Sequence, residues 1–178
     1  MSSASQSAPL AGIRVIEMGA FIAGPFCGQL LADFGADVIK IEPPGTGDPM
    51  RRWGTVKAGG HSLWWPVIAR NKRCITLDLR TADGQELARE LIEGADVVVE
   101  NFRPGTLRNW NLDLDEMRAA RPSLIVAQVS GFGQTGPYAD RAGFASVAEA
   151  MGGLRALTGF PDRAPTRVGL SIGDSLAG

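Results

Sequence analysis

Only two cysteines, Cys27 and Cys74, and one histidine, His61, occur among the 178 residues. The thiols are far apart in sequence and form no CxxC pair, so no disulfide framework is defined and a reducing compartment suits the chain. One imidazole beside two thiols cannot complete a Cys/His zinc site within a single chain. No apolar run approaches the roughly 20 residues that span a bilayer, and the opening Met-Ser-Ser-Ala-Ser-Gln-Ser lacks the basic and apolar regions of a secretion signal. Charge of one sign is missing too: 18 Lys and Arg face 19 Asp and Glu, for a net −1. Without a basic patch, neither nucleic acid nor an anionic membrane is indicated as a partner. The expectation is a soluble, cytoplasmic protein with no metal site.

What is present is the composition of a packed domain, 44% apolar and 21% charged. Of the 18 basic residues 15 are Arg, the cation suited to forked contacts with phosphate and carboxylate, although codon bias gives the same count. Residues 1–9 are small and polar and read as a disordered leader. From Leu10 onward, short β-branched runs alternate with helical periodicity. Residues 13–18, 37–42, 74–79, 96–100 and 124–129 are predicted strands; 26–34, 83–93, 114–121 and 144–154 are predicted helices. Strands that are nearly all apolar and separated by helices indicate an α/β fold, a Rossmann-like, mostly parallel sheet covered on both faces. The Pro- and Gly-rich interval 43–60 is a connection long enough to be functional or mobile. Trp64 and Trp65 form an apolar pair whose partners are expected outside these residues.

The loop after the first strand does not carry the usual dinucleotide fingerprint of such folds. After the first strand the chain reads Gly19-Ala-Phe-Ile-Ala-Gly24, which is not GxGxxG, and no GxxxxGK[ST] occurs. Attention shifts to the loops at the carboxyl ends of the strands, where open α/β sheets bind ligands. Asn71-Lys72-Arg73 and Arg80 place cations around one strand, as a solvated boundary or as anion ligands. Asn101-Phe102-Arg103 follows an apolar strand and offers an amide, a ring and a guanidinium that could hold an adenine and phosphates, or form a simple turn. Ser130-Gly-Phe-Gly-Gln-Thr-Gly-Pro137 is rich enough in glycine for a close backbone approach to a ligand. Gly173-Asp174-Ser175 follows the apolar run 168–172 at a strand-to-helix junction, where Asp serves as a helix N-cap or as a catalytic carboxylate.

Six blocks in this order carry a resemblance: Pro9-Leu-Ala-Gly-Ile-Arg-Val-Ile-Glu17, Leu31-Ala-Asp-Phe-Gly-Ala-Asp-Val-Ile-Lys-Ile-Glu-Pro-Pro44, Asn71-Lys-Arg-Cys-Ile-Thr-Leu-Asp-Leu79, Val99-Glu-Asn-Phe-Arg-Pro-Gly105, Ser130-Gly-Phe-Gly-Gln-Thr-Gly-Pro-Tyr138 and Gly173-Asp-Ser175. Together they resemble the N-terminal part of a class III coenzyme A transferase, the CaiB/BaiF family that includes formyl-CoA transferase. The resemblance implies that residues 10–178 are the N-terminal part of the large domain of a chain about twice as long. It implies Asp174 as the nucleophile, and Leu77, Arg80, Asn101, Phe102 and Arg103 as residues that hold coenzyme A. It implies an acyl-CoA and a small carboxylic acid as substrates, no further cofactor, and an interlocked homodimer. Pro43 and Asn109 stand where such proteins place arginines, with Arg108 adjacent to the second. Two alternatives remain: a 2-methylacyl-CoA racemase, or an inactive CoA-binding or assembly fragment. Racemases carry a proton-shuttling His after the Ala-Gly that here is Ala142-Gly143, and this chain has Phe144 instead.

Overall fold

The computed structural model describes residues 8–178. In chain order its elements are β1 (Arg14–Met18), α1 (Ala23–Asp33), β2 (Asp37–Glu42), β3 (Lys57–Ala58), β4 (His61–Ser62), α2 (Trp65–Ile68), β5 (Lys72–Thr76), α3 (Ala82–Glu93), β6 (Val97–Glu100), α4 (Thr106–Asn109), α5 (Leu114–Ala120), β7 (Ile125–Gln128), α6 (Ala145–Met151) and α7 (Ile172–Ala177). Five strands form one parallel sheet in the order β5-β2-β1-β6-β7. The chain therefore winds outward in one direction from β1 and then in the other, and the reversal between β1 and β6 opens a crevice at the strands' carboxyl ends.

Period-2 alternation splits the sheet between two cores. Ile16, Met18, Ile39, Ile41 and Val98 meet Ala88 and Ile92 of α3 with Leu107 and Leu114 on one face; Val15, Val38 and Val99 meet Ala32 and Ala36 on the other. Helix α1 approaches its face closely because small residues line it. A Cβ at Gly28 would lie 2.1 Å from Glu17 Oε2. The helix begins at Ala23, three residues before the predicted start, because Pro25 in the first turn gives up an N–H that has no intrahelical partner there. Helix α3 begins at the Thr81 cap, whose side chain accepts from Gly84 N at 3.2 Å.

The α1 face departs from the expected apolar strands. Glu17, Lys40 and Lys72 are fully buried there and paired, with Lys40 Nζ 2.8 Å and Lys72 Nζ 2.6 Å from Glu17, and Lys40 also 2.9 Å from Asp48. Such charges persist in a low-dielectric interior because each has an opposite partner. Burial alone lowers the Lys40 pKa, but Glu17 and Asp48 outweigh it and hold the ammonium above its ordinary value. Lys72 moves the other way, since burial exceeds the attraction of Glu17. Lys72 is thus no solvated strand boundary; Arg73 is, and it pairs with Asp37 at 2.6 Å.

Other differences have local causes. The predicted strand 74–79 spans 72–76, because β2 ends at Glu42 and its carbonyl takes Leu77 N as the last rung. The hairpin β3–β4 turns on Gly59 and Gly60, both at positive φ, too short a signal to read as strands beforehand. The predicted helix 144–154 is shortened to Ala145–Met151 and followed by a 3-10 turn, Leu154–Leu157. The apolar run 168–172 is not a strand: no neighbour pairs with it among the described residues, and Ile172 instead opens α7. Trp65 finds partners within the chain, packing on the Ile22–Met50–Ile68 cluster with the Arg51 guanidinium 3.8 Å above its ring. Of the expected leader, residues 1–7 lie outside the described residues, while Ala8 O accepts from Ala11 N at 2.9 Å. No helix among the described residues is long and apolar enough to cross a membrane.

Candidate active site

The loop after β1 and the loop after β6 meet at the switch point. Asn101 joins them: its Oδ1 accepts from Ala20 N at 2.9 Å and its Nδ2 donates to Ala20 O at 2.8 Å. The amide thereby imitates a strand partner for a residue beyond the sheet. Gly19 is required beside it, since a Cβ there would lie 2.0 Å from Asn101 Oδ1. From below, Asp48 Oδ1 accepts from Phe21 N at 3.3 Å and from Met50 N at 2.8 Å, which ties the loop to the buried ion cluster.

Two cavities flank this joint. One, of about 350 Å³, is bordered by Ala20–Ala23, Asn101–Arg103, Ser130, Gly131, Gly143–Ala145 and Asp174. The other, of about 390 Å³, is bordered by Pro43, Gly47, Arg52, Leu77–Arg80, Phe102 and Trp110. Ala20 and Phe102 are walls of both. All six residues singled out in the sequence border a tract of two adjoining cavities at the carboxyl ends of the strands: Asp174, Asn101, Phe102 and Arg103 in the first cavity, and Leu77, Arg80 and again Phe102 in the second.

The second cavity has apolar walls and cationic rims. Phe102 meets Trp110 edge-on with centroids 5.3 Å apart, and its N–H donates to Glu100 Oε2 at 2.7 Å. Burial pushes the Glu100 carboxyl up, while Gln128 and the Phe102 amide act against it. Arg80 takes Asp78 with both Nε (2.8 Å) and Nη2 (3.0 Å), so an anion there competes with a carboxylate for the guanidinium. Arg103 is exposed and has no ion pair among the described residues. Arg108, next to Asn109, pairs with Asp113 at 2.7 Å and does not border the second cavity. Sequence reasoning missed Arg52, which borders that cavity from the 43–60 connection and donates to Thr46 O at 2.5 Å. The length of that connection was its only signal.

Asp174 stands at the third helical position of α7, and Ser171 is the N-cap, so the capping reading of this Asp does not hold. Burial raises the Asp174 pKa, the nearby Glu149 carboxylate raises it further, and Arg167 opposes both. The Gly-rich loop packs its glycine backbone against Gly143: a Cβ at Gly131 would lie 2.7 Å from Gly143 Cα. Beside it the Ser130 hydroxyl is buried with no hydrogen-bond partner among the described residues. Phe144, where a racemase needs its proton carrier, borders the cavity and is 72% exposed.

A doubly wound parallel sheet with an apolar, arginine-rimmed tract at its switch point and a half-buried carboxylate on its border defines the class: an open α/β fold whose candidate site lies at the carboxyl ends of its strands. More particularly, the chain belongs to CoA-transferase family III, whose model matches residues 10–178. The succinyl-CoA–D-citramalate CoA-transferase of Chloroflexus aurantiacus is 65% identical over 177 residues, which are 99% of this chain and 44% of that protein. The succinate–glutarate CoA-transferase of Agrobacterium fabrum is 45% identical, covering 96% of this chain and 44% of that protein. Among solved structures, a CaiB/BaiF family protein from Brucella suis superposes with a TM-score of 0.88 at 44% identity, over 96% of this chain and 47% of that one. The chain thus spans less than half the length of these relatives. Their names are those of transferases and do not favour the racemase alternative.

Proposed function

We propose that residues 10–178 form the N-terminal part of a CoA-transferase large domain, carrying the nucleophile and most of the CoA cradle. Coenzyme A enters as the thioester substrate. Its adenine end rests in the Leu77–Phe102–Trp110 cavity with phosphates on Arg80, Arg103 and Arg52, and its pantetheine passes Ala20 and Phe102 toward Asp174. The observation that carries this reading is that the two cavities share the Asn101-locked joint and that Asp174 borders one end of the tract.

The chemistry follows from a carboxylate at that end. An Asp174 oxygen attacks the thioester carbonyl; the C–S bond breaks and the CoA thiolate leaves with the electron pair, forming a mixed anhydride. The thiolate then attacks the Asp174 carbonyl carbon, the donor acid departs as a carboxylate, and an aspartyl-CoA thioester remains. An acceptor carboxylate runs the two steps in reverse, so thioester energy is carried over without ATP. Each tetrahedral oxyanion forms near the first turn of α1, whose amides lack intrahelical acceptors. The substrates proposed are a dicarboxyl-CoA such as succinyl-CoA and a small dicarboxylate acceptor, as the names of the relatives suggest, and the working assembly is an interlocked homodimer.

The test is CoA exchange between succinyl-CoA and candidate dicarboxylates, measured on the protein at its natural length. Asp174→Ala abolishes exchange on this reading; full activity in that variant refutes it.

A further inference from the structure

Helix α6 contributes one acidic side chain to its contact with α7. Glu149 is only 5% exposed, and its Oε1 accepts from Gly173 N at 3.3 Å. Its Oε2 is buried with no hydrogen-bond partner among the described residues. A buried carboxylate oxygen without a partner is costly, and protein folds tolerate one chiefly where it serves a site. The contact is also close: a Cβ at Gly173 would lie 2.8 Å from the Ala145 Cβ and 3.3 Å from Glu149 Oε1, so only glycine lets the two helices meet here.

We infer that Glu149 is a positioning residue for Asp174: it clamps the first turn of α7 through Gly173 and keeps a second negative charge beside the carboxylate. The inference rests on the proposed transfer reaction for its chemical meaning. Two neighbouring carboxylates repel while both are ionised, and the repulsion vanishes when Asp174 becomes an anhydride or a thioester, both neutral at that side chain. Glu149 thereby raises the free carboxylate relative to its covalent adducts and strengthens it as a nucleophile. The charged groups from the elements around this contact are Glu149 from α6, Arg155 from the 3-10 turn packed on α6, Arg167 from the segment before α7, and Arg103 from the loop after β6; from α1, which packs on α7, the titratable residue at the contact is Cys27, whose backbone N lies 3.1 Å from a Cβ built at Gly178.

The experiment compares Glu149→Gln, which keeps the acceptor for Gly173 and removes the charge, with Glu149→Leu, which removes both. Carboxyl NMR of aspartate-labelled 178-residue chain, with the Asp174 signal assigned by its loss in Asp174→Asn, follows the titration directly. In Glu149→Gln the Asp174 titration moves to lower pH; an unmoved titration in a variant with a native-like spectrum overturns the inference, whatever the activity. If Glu149→Gln does not give a native-like spectrum, the same comparison is made by the acid limb of kcat/KM at natural length. There the limb moves to lower pH and kcat falls about tenfold with KM for the acyl-CoA unchanged, and an unmoved limb overturns it. Exchange that fails already in the wild type counts against the proposed function and leaves the NMR result standing.

Discussion

Replacing Asn101 by Ala removes both bonds that lock Ala20, at 2.9 and 2.8 Å, and leaves a partly buried N–H and C=O without partners. A neutral hydrogen bond contributes about 1 kcal/mol net and a buried orphan costs about 1–3 kcal/mol, so the variant should lose roughly 2–3 kcal/mol. Urea unfolding reads this as a lower midpoint at unchanged slope. Calorimetry with CoA reads the second consequence, a higher Kd, because only molecules with the 19–22 loop in place present both cavities. The Asn101→Asp variant separates the two bonds. Its ionised carboxylate still accepts from Ala20 N but faces Ala20 O with no proton to donate; protonation restores the donor, so relative to the wild type this variant recovers stability as pH falls. Wild-type stability and Kd in Asn101→Ala would refute the view that Asn101 builds the joint.

Neutralising Arg52, Arg80 or Arg103 should raise KM for the acyl-CoA more than it lowers kcat, because phosphate contacts remote from the carbonyl hold ground and transition states alike; three unchanged KM values would remove these residues from the cradle. Arg70 holds the Asp33 pKa down to about 2, chiefly by its hydrogen bond. A carboxyl depressed in the folded state stabilises above its unfolded pKa and loses that contribution as pH falls toward the folded one. The acid-unfolding difference between wild type and Arg70→Ala should therefore shrink between about pH 4 and pH 2. Phe144, Leu157, Phe160, Leu170 and Leu176 are all more than two-thirds exposed, so the 178-residue chain should bind hydrophobic dye or self-associate in sedimentation; a monomer without dye binding at micromolar concentration contradicts this.

The five strands of the sheet and its parallel character were legible because β-branched runs between capped helices have few other solutions. The loops after β1, β5 and β6 that border the tract were legible for the same reason, since they follow strands; the segment that carries Asp174 does not. What the residues alone could not show is where charges go. Glu17 and Lys40 lie in strands that read as nearly all apolar, and the close approach of α1 over Gly28 makes them a buried pair. Asn101 was expected to touch a ligand; its amide is engaged with Ala20, and that bond depends on two loops 81 residues apart. Glu149 was one acidic residue on a short helix, and its place beside Asp174 depends on α6 packing on α7, a contact with no local signature.

The central claim is covalent: Asp174 carries the acyl group and then CoA. The protein at natural length is mixed with succinyl-CoA without acceptor, quenched in acid, digested, and analysed by mass spectrometry, with a parallel hydroxylamine-treated sample. The account predicts a CoA adduct on the peptide containing Asp174, its conversion to a hydroxamate by hydroxylamine, and neither in Asp174→Ala. Exchange that proceeds with no modification of that peptide, or an adduct mapped to another carboxylate, would contradict it.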